Sequence, residues 1–157
     1  EGIATLVSGN LSSAIYVARS VLPMMREQGG GVMIHTSSWA GRWVGAVAGP
    51  IYTAAKHGVV AMSHSINLEE CQSNIRSSVV CPGEVATPIM KLRDPPEPAE
   101  IMARMVQPED MGAIIAFIAR QPAHVCLNEV VVSPTHNRGY ISMMRGRQQQ
   151  IEAARKA

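Results

Sequence analysis

Tyr52 and Lys56 stand four positions apart in GPIYTAAKHG, a run of small residues that opens a helix. Side chains at i and i+4 share one helix face, so the spacing sets a phenol one turn from an ammonium. A free phenol, with a pKa near 10, becomes a working acid or base at neutral pH only after a shift of about three units, roughly 4 kcal/mol in favour of the phenolate. A cation about 4 Å away at an effective dielectric near 20 supplies on the order of 4 kcal/mol. The pair is therefore a candidate for moving a proton at a substrate oxygen. The plainer reading makes Tyr52 a core aromatic and Lys56 a solvated charge, and the surrounding elements have to overturn it.

Those elements read as alternating helices and strands. In NLSSAIYVARSVLPMMREQGGG, Leu11, Ile15, Ala18, Leu22 and Met25 fall on one helical stripe, which Gly29, Gly30 and Gly31 stop. A second apolar stripe, Ala14, Val17, Val21 and Met24, leaves too little polar surface for an ordinary exterior. Both faces are expected to be covered, by core and a partner subunit or by core all round. GVMIHTSS reads as a buried strand, and WAGRWVGAVAGP as a loop. A long helix follows from about Ile51 to Ser73, with Ala55, Val59, Met62 and Ile66 on one side. IRSSVVC is the next strand, broken at Pro82-Gly83. Residues 84–107 carry Pro88, Pro95, Pro96 and Pro98 around a short helix, AEIMARM, and read as a functional loop or lid. PEDMGAIIAFIAR is a helix with Pro108 in its first turn, Glu109 and Asp110 against the dipole, and Met111, Ile114, Ile115 and Ile118 on one face. NEVVVS closes as a strand. Helix-length crossovers between strands imply an α/β protein with a parallel sheet packed by helices.

The chain has 157 residues, 46% hydrophobic and 17% charged, enough for one domain with a real core. Residues 137–157 hold five basic side chains against one acidic, a net +4, which leaves −2 on residues 1–136. That distribution gives the body no nucleic-acid footprint, and the Gln-rich basic tail reads as a solvated or frayed helix. No apolar run reaches membrane-spanning length, so a soluble, cytoplasmic protein is expected. Cys71, Cys81 and Cys126 lie far apart without metal-ligand spacing, as buried thiols of a reducing compartment would, and no metal site is expected. The opening, EGIATLVSGN, has neither initiator Met nor a basic leader and reads as a piece of a longer chain.

Four stretches in order, GNLSSA, HTSSWAG, YTAAK and PGEVAT, make residues 10–135 resemble the C-terminal part of a short-chain dehydrogenase/reductase. The resemblance implies a partial Rossmann-like, doubly wound parallel sheet, a fragment of a three-layer α/β/α domain, over residues 1–136. It implies an NAD- or NADP-dependent oxidoreductase interconverting a small secondary alcohol and a ketone. Tyr52 would be the general acid/base, Lys56 its electrostatic partner and ribose anchor, and Ser38 the hydroxyl holding the substrate oxygen. Asn10 would fix a water in the proton relay. Pro82 and Gly83 would shape the wall at the nicotinamide, with the Val85 main chain and Thr87 near its carboxamide. Ser37 competes with Ser38 but is expected to hydrogen-bond locally. Thr87 before Pro88 reads equally as turn chemistry. His57, about 100° round the helix from Lys56, reads as surface or packing, and His35 as a satisfied core residue. Trp39 and Trp43 either line a substrate pocket or pack on the core.

The family's glycine-rich phosphate turn is absent from the sequence, so the strand GVMIHTSS is expected to show an unpaired edge unless upstream sequence or a partner supplies its neighbour. Glu84 would set a carboxylate at the mouth of the site, and NEVVVSPTHN departs from the Asp-Gly-Gly of many members. The relatives imply a homodimer or homotetramer through the helices around 10–28 and 51–73. A second reading is a non-catalytic binding or regulatory protein on this fold, or an inactive truncated fragment.

Overall fold

A computed structural model describes residues 2–45 and 47–156. The first helix runs in three pieces without a break in direction: α1 (Gly2–Val7), a π-helical turn (Ser8–Ser12) and α2 (Ser13–Glu27). It ends where Gly29, at a φ of +81°, turns the chain left-handed toward β1 (Gly31–Thr36). Then come a short 3₁₀ turn (Trp39–Gly41), α3 (Pro50–Glu70), and β2 (Ile75–Pro82). The excursion after β2 contains a 3₁₀ turn (Pro88–Leu92) and α4 (Ala99–Met102). α5 (Pro108–Ala119), β3 (Glu129–Val132) and α6 (Arg138–Lys156) complete the chain.

The three strands form a parallel sheet in the order β1-β2-β3, with Thr36 opposite Val80 and Pro82 opposite Val132. β1 lies at its edge among the described residues, as expected from the sequence. Because side chains alternate across a strand, β2 sorts its neighbours onto two faces. Ile75 joins Ala18, Met25, Met33 and Ile66 in one cluster, and Val79 and Cys81 join Val59 and Val60 in another, which places α2 and α3 on that face. Arg76 points the other way and donates to the carbonyls of Ala119, Pro122 and Val125, at the end of α5. Helices therefore cover both faces, in three layers. Both crossovers advance in the same direction across the sheet yet place their helices on opposite faces, so they have opposite hands. One of them departs from the right-handed rule.

The sequence stripes hold in part. α3 buries Ala55, Val59 and Ile66 as expected, and α5 turns Met111, Ile114 and Ile118 inward but leaves Ile115 exposed. In the first helix Leu11, Ala14, Ala18, Val21, Leu22 and Met25 face the body, whereas Ile15, Val17 and Met24 are exposed. Core covers one column only among the described residues, so the expectation of core all round fails and that of core on one side remains. At the other end of these helices, Arg26 forms a two-pronged ion pair with Glu70, which is 2% exposed, and that guanidinium holds the Glu70 carboxyl below the usual carboxylate range.

Candidate functional site

α3 starts at Gly49, whose φ of +72° only glycine adopts without strain, followed by Pro50 with its φ already fixed for a first turn. This start sets Tyr52, half-buried, and Lys56 one turn apart near the carboxyl end of β1. The Lys56 ammonium lies 5.5 Å from the centroid of the Tyr52 ring and donates to the Thr36 carbonyl at 3.3 Å. Burial pushes the Lys56 pKa down.

The two serines at the end of β1 divide the work. Ser37, 3% exposed, donates its hydroxyl to the Lys56 carbonyl at 2.8 Å, a contact 19 residues away, so the expectation of a local bond is corrected. The reason is Gly41: a Cβ there would sit 2.9 Å from the Lys56 carbonyl oxygen and closer still to the Ser37 hydroxyl. Only a bare Cα lets α3 dock this tightly on the strand end. Ser38 is half-buried and caps the 3₁₀ turn, accepting from the Ala40 N–H at 3.1 Å. Its own proton is taken by no acceptor among the described residues, which leaves it free to donate outward.

Asn10 occupies the middle of the π turn, where its side-chain amide donates to the Leu6 carbonyl at 3.0 Å. Such turns interrupt the regular i−4 ladder and free backbone groups. Asn10, Thr36 and Lys56 line one cleft of about 270 Å³, together with Ser13, Val59 and His35. Tyr52, Ser38 and residues 82–87 lie outside its lining. His35 departs from expectation: its Nε2 is buried without a partner among the described residues, and burial lowers its pKa. His57, by contrast, spends Nδ1 on the Thr53 carbonyl at 2.9 Å, consistent with a packing role.

Pro82 and Gly83 stand at the carboxyl end of β2, where the Gly83 N–H donates to the Val132 carbonyl at 2.7 Å. A Cβ on Gly83 would come within 3.3 Å of the Pro134 ring. Val85 pairs with Val106 in a single bridge that closes the base of the 86–105 excursion. Its carbonyl accepts the Thr87 N–H at 2.8 Å, so its N–H is the main-chain group left for a ligand. The Thr87 hydroxyl makes no capping bond at the 3₁₀ turn it opens.

Sequence reasoning missed a clasp over this region. Arg138, at the start of α6, bonds both Glu84 and Glu97 through two oxygens each, and Arg93 reaches Glu97 at 2.6 Å and Glu84 at 3.4 Å. Glu84 is thus a neutralised strut, and the first turn of the basic tail is fastened to the body. No short-range signal could have paired Arg138 with carboxylates 54 and 41 residues earlier. Arg138 is the leading cause that holds both carboxyls below their usual 4.5. A depressed folded pKa means that the clasp's stability is complete above 4.5 and is lost as pH falls through the folded values. Arg138→Ala is expected to cost about 2 kcal/mol at pH 7. Thermal melts between pH 7 and pH 3 should show the variant and the parent converging in acid, and a constant gap would exclude the clasp.

The three parallel strands packed by helices define an α/β protein, with Ser38 following β1 and the Tyr52–Lys56 pair held to the end of that strand by the Thr36 carbonyl. The chain belongs to the short-chain dehydrogenase family, whose model, described as short chain dehydrogenase, matches residues 1–98. It is 44% identical over 86 residues to the short-chain dehydrogenase/reductase olcF of Penicillium canescens, covering 55% of this chain and 33% of that protein. It is 33% identical over 132 residues to levodione reductase of Leifsonia aquatica, covering 75% and 49%. Among solved structures, the closed form of serine dehydrogenase complexed with NADP+ superposes with a TM-score of 0.71 at 28% identity, covering 80% of this chain and 52% of that one. The chain thus spans about half or less of the length of these relatives. No helix among the described residues is long and apolar enough to cross a membrane.

Proposed function

We propose that the protein is an NAD- or NADP-dependent oxidoreductase that interconverts a secondary alcohol and a ketone, with Tyr52 as general acid/base. The observation that carries this reading is the Lys56 ammonium packed 5.5 Å from the Tyr52 ring at the strand end where Ser38 keeps a free proton. The nicotinamide, when bound, gives or takes the hydride. The oxygen of the reacting carbon must then gain or lose a proton, which is the task of this chain's own residues. Ser38 donates to that oxygen and orients it, the Tyr52 hydroxyl transfers the proton, and Lys56 favours the phenolate.

The residues present fit the nicotinamide end of such a cofactor. Lys56 spends one of its N–H donors on Thr36, which leaves others for ribose hydroxyls, and the Val85 N–H has no partner among the described residues, next to the Pro82-Gly83 turn. The NADP+ of the serine dehydrogenase relative supports the same assignment. The test is nicotinamide absorbance with a panel of secondary alcohols and ketones. Turnover of any of them upholds the reaction class, and its absence across the panel with both cofactors overturns it.

The exposed Tyr16, Val17 and Met24 on the first helix and Leu68 on α3 support a homodimer or homotetramer formed through these helices. Light scattering is expected to give twice the chain mass or more, and a monomer at micromolar concentration would rule the interface out.

A further inference from the structure

Three of the chain's six aromatic side chains, Trp39, Trp43 and Tyr140, meet in one cluster. The Trp39 and Trp43 rings lie 4.6 Å apart at 41°, and Tyr140 meets Trp39 edge-on at 5.3 Å and 65°. Trp39 directly follows Ser38, and the bond from the Ala40 N–H to the Ser38 hydroxyl oxygen locks both into one turn. The Trp43 N–H donates to the Trp39 carbonyl at 3.0 Å, which extends that turn along the segment leading to Tyr52.

Tyr140 arrives from the far end of the sequence and is held by two fastenings. Its N–H donates to the side-chain oxygen of Asn137, which is itself 9% exposed, and the neighbouring Arg138 carries the clasp to Glu84 and Glu97. Gly139 lies against the same ring, since a Cβ there would be 3.6 Å from Trp39, an ordinary contact distance. All three rings therefore come from segments that leave the carboxyl ends of β1 and β3, the end of the sheet that carries Ser38. Trp43 and Tyr140 remain 45% and 51% exposed, although they pack on a half-buried Trp39. The two outer rings therefore keep faces and edges open at that end of the sheet.

We propose that Trp39, Trp43 and Tyr140 form the substrate-recognition wall of the site and select a planar, unsaturated or aryl group attached to the reacting carbinol or carbonyl carbon. The proposal rests on the oxidoreductase reading above and adds the class of substrate. Trp39 fixes the wall to Ser38, and the exposed outer rings offer edges and faces to a flat ring while Ser38 holds the oxygen. Aromatic contacts discriminate a planar ring from a puckered one of the same size, because only the planar ring offers a π face.

The test compares kcat/KM for 1-phenylethanol and 1-cyclohexylethanol on the full protein. The expected result is a preference of about tenfold for the aryl alcohol, carried mainly by KM. Trp43→Ala and Tyr140→Ala should each bring that ratio toward one, and Trp43→Phe and Tyr140→Phe should retain most of it. Melting curves separate loss of the wall from loss of fold. A ratio near one in the parent, or one unmoved by both alanine variants, overturns the wall while leaving the oxidoreductase reading intact. Should no alcohol turn over, tryptophan fluorescence decides the wall by itself. Saturable quenching by acetophenone that is lost in Tyr140→Ala, which keeps both tryptophans, upholds it, and quenching that never saturates or survives that substitution refutes it.

Discussion

Tyr52→Phe is expected to lower kcat by on the order of 10³-fold while the protein melts within a degree or two of its parent. The substitution keeps the ring against which the Lys56 ammonium packs at 5.5 Å and removes one oxygen. Packing and the cation–ring contact therefore survive, and the lost quantity is the proton itself. A general acid or base contributes about 10² to 10⁴ in rate, and the two nearby groups that might replace it are already engaged. His57 spends Nδ1 on the Thr53 carbonyl, and Ser37 gives its proton to the Lys56 carbonyl. Stopped-flow measurement of the hydride step, with circular dichroism on the same sample, checks both halves. A variant that keeps a tenth of the parental rate would remove Tyr52 from the chemistry.

Gly41→Ala is expected to cost about 3 kcal/mol of stability and roughly 10²-fold in kcat/KM. The added methyl would meet the Lys56 carbonyl oxygen at 2.9 Å and its carbon at 3.1 Å, with the Ser37 hydroxyl nearer still. None of these is the loose end of a flexible chain. The carbonyl belongs to a helix, and the hydroxyl is buried and already bonded to it. Relief must come from α3 moving off the end of β1, which separates Lys56 and Tyr52 from Ser38. Urea denaturation and steady-state kinetics together read this coupling. Parental stability in the alanine variant would mean that the strand end and the helix are not tightly docked.

What could be read from the sequence was what helical and strand periodicity fix locally. Tyr52 and Lys56 fall on one face because any α-helix puts them there, and the strands announced themselves as short β-branched runs between glycines and serines. The choice between two adjacent apolar columns on the first helix was not local. Ala14 and Val21 rather than Ile15 and Val17 meet the body, because the approach of α3 and β1 decides which column is covered. Ser37 shows the same limit. Its partner lies 19 residues on and is reached only because Gly41 is bare. The tail is the mostly exposed helix that was expected, but the fastening of its first turn was not legible, since charge counting treats Arg138 as solvated when its two carboxylates come from a loop far back in the chain.

The bridge between Val85 and Val106 has a consequence for anyone who would re-engineer this scaffold. It brings the two ends of the excursion side by side, so residues 86–105 carry no duty of reach, and α5 starts from the bridge whatever the length between. Trimming inside the excursion should therefore leave α5 in place, whereas removing Glu97 with it would take away one of the two carboxylates that hold Arg138 and loosen the start of α6.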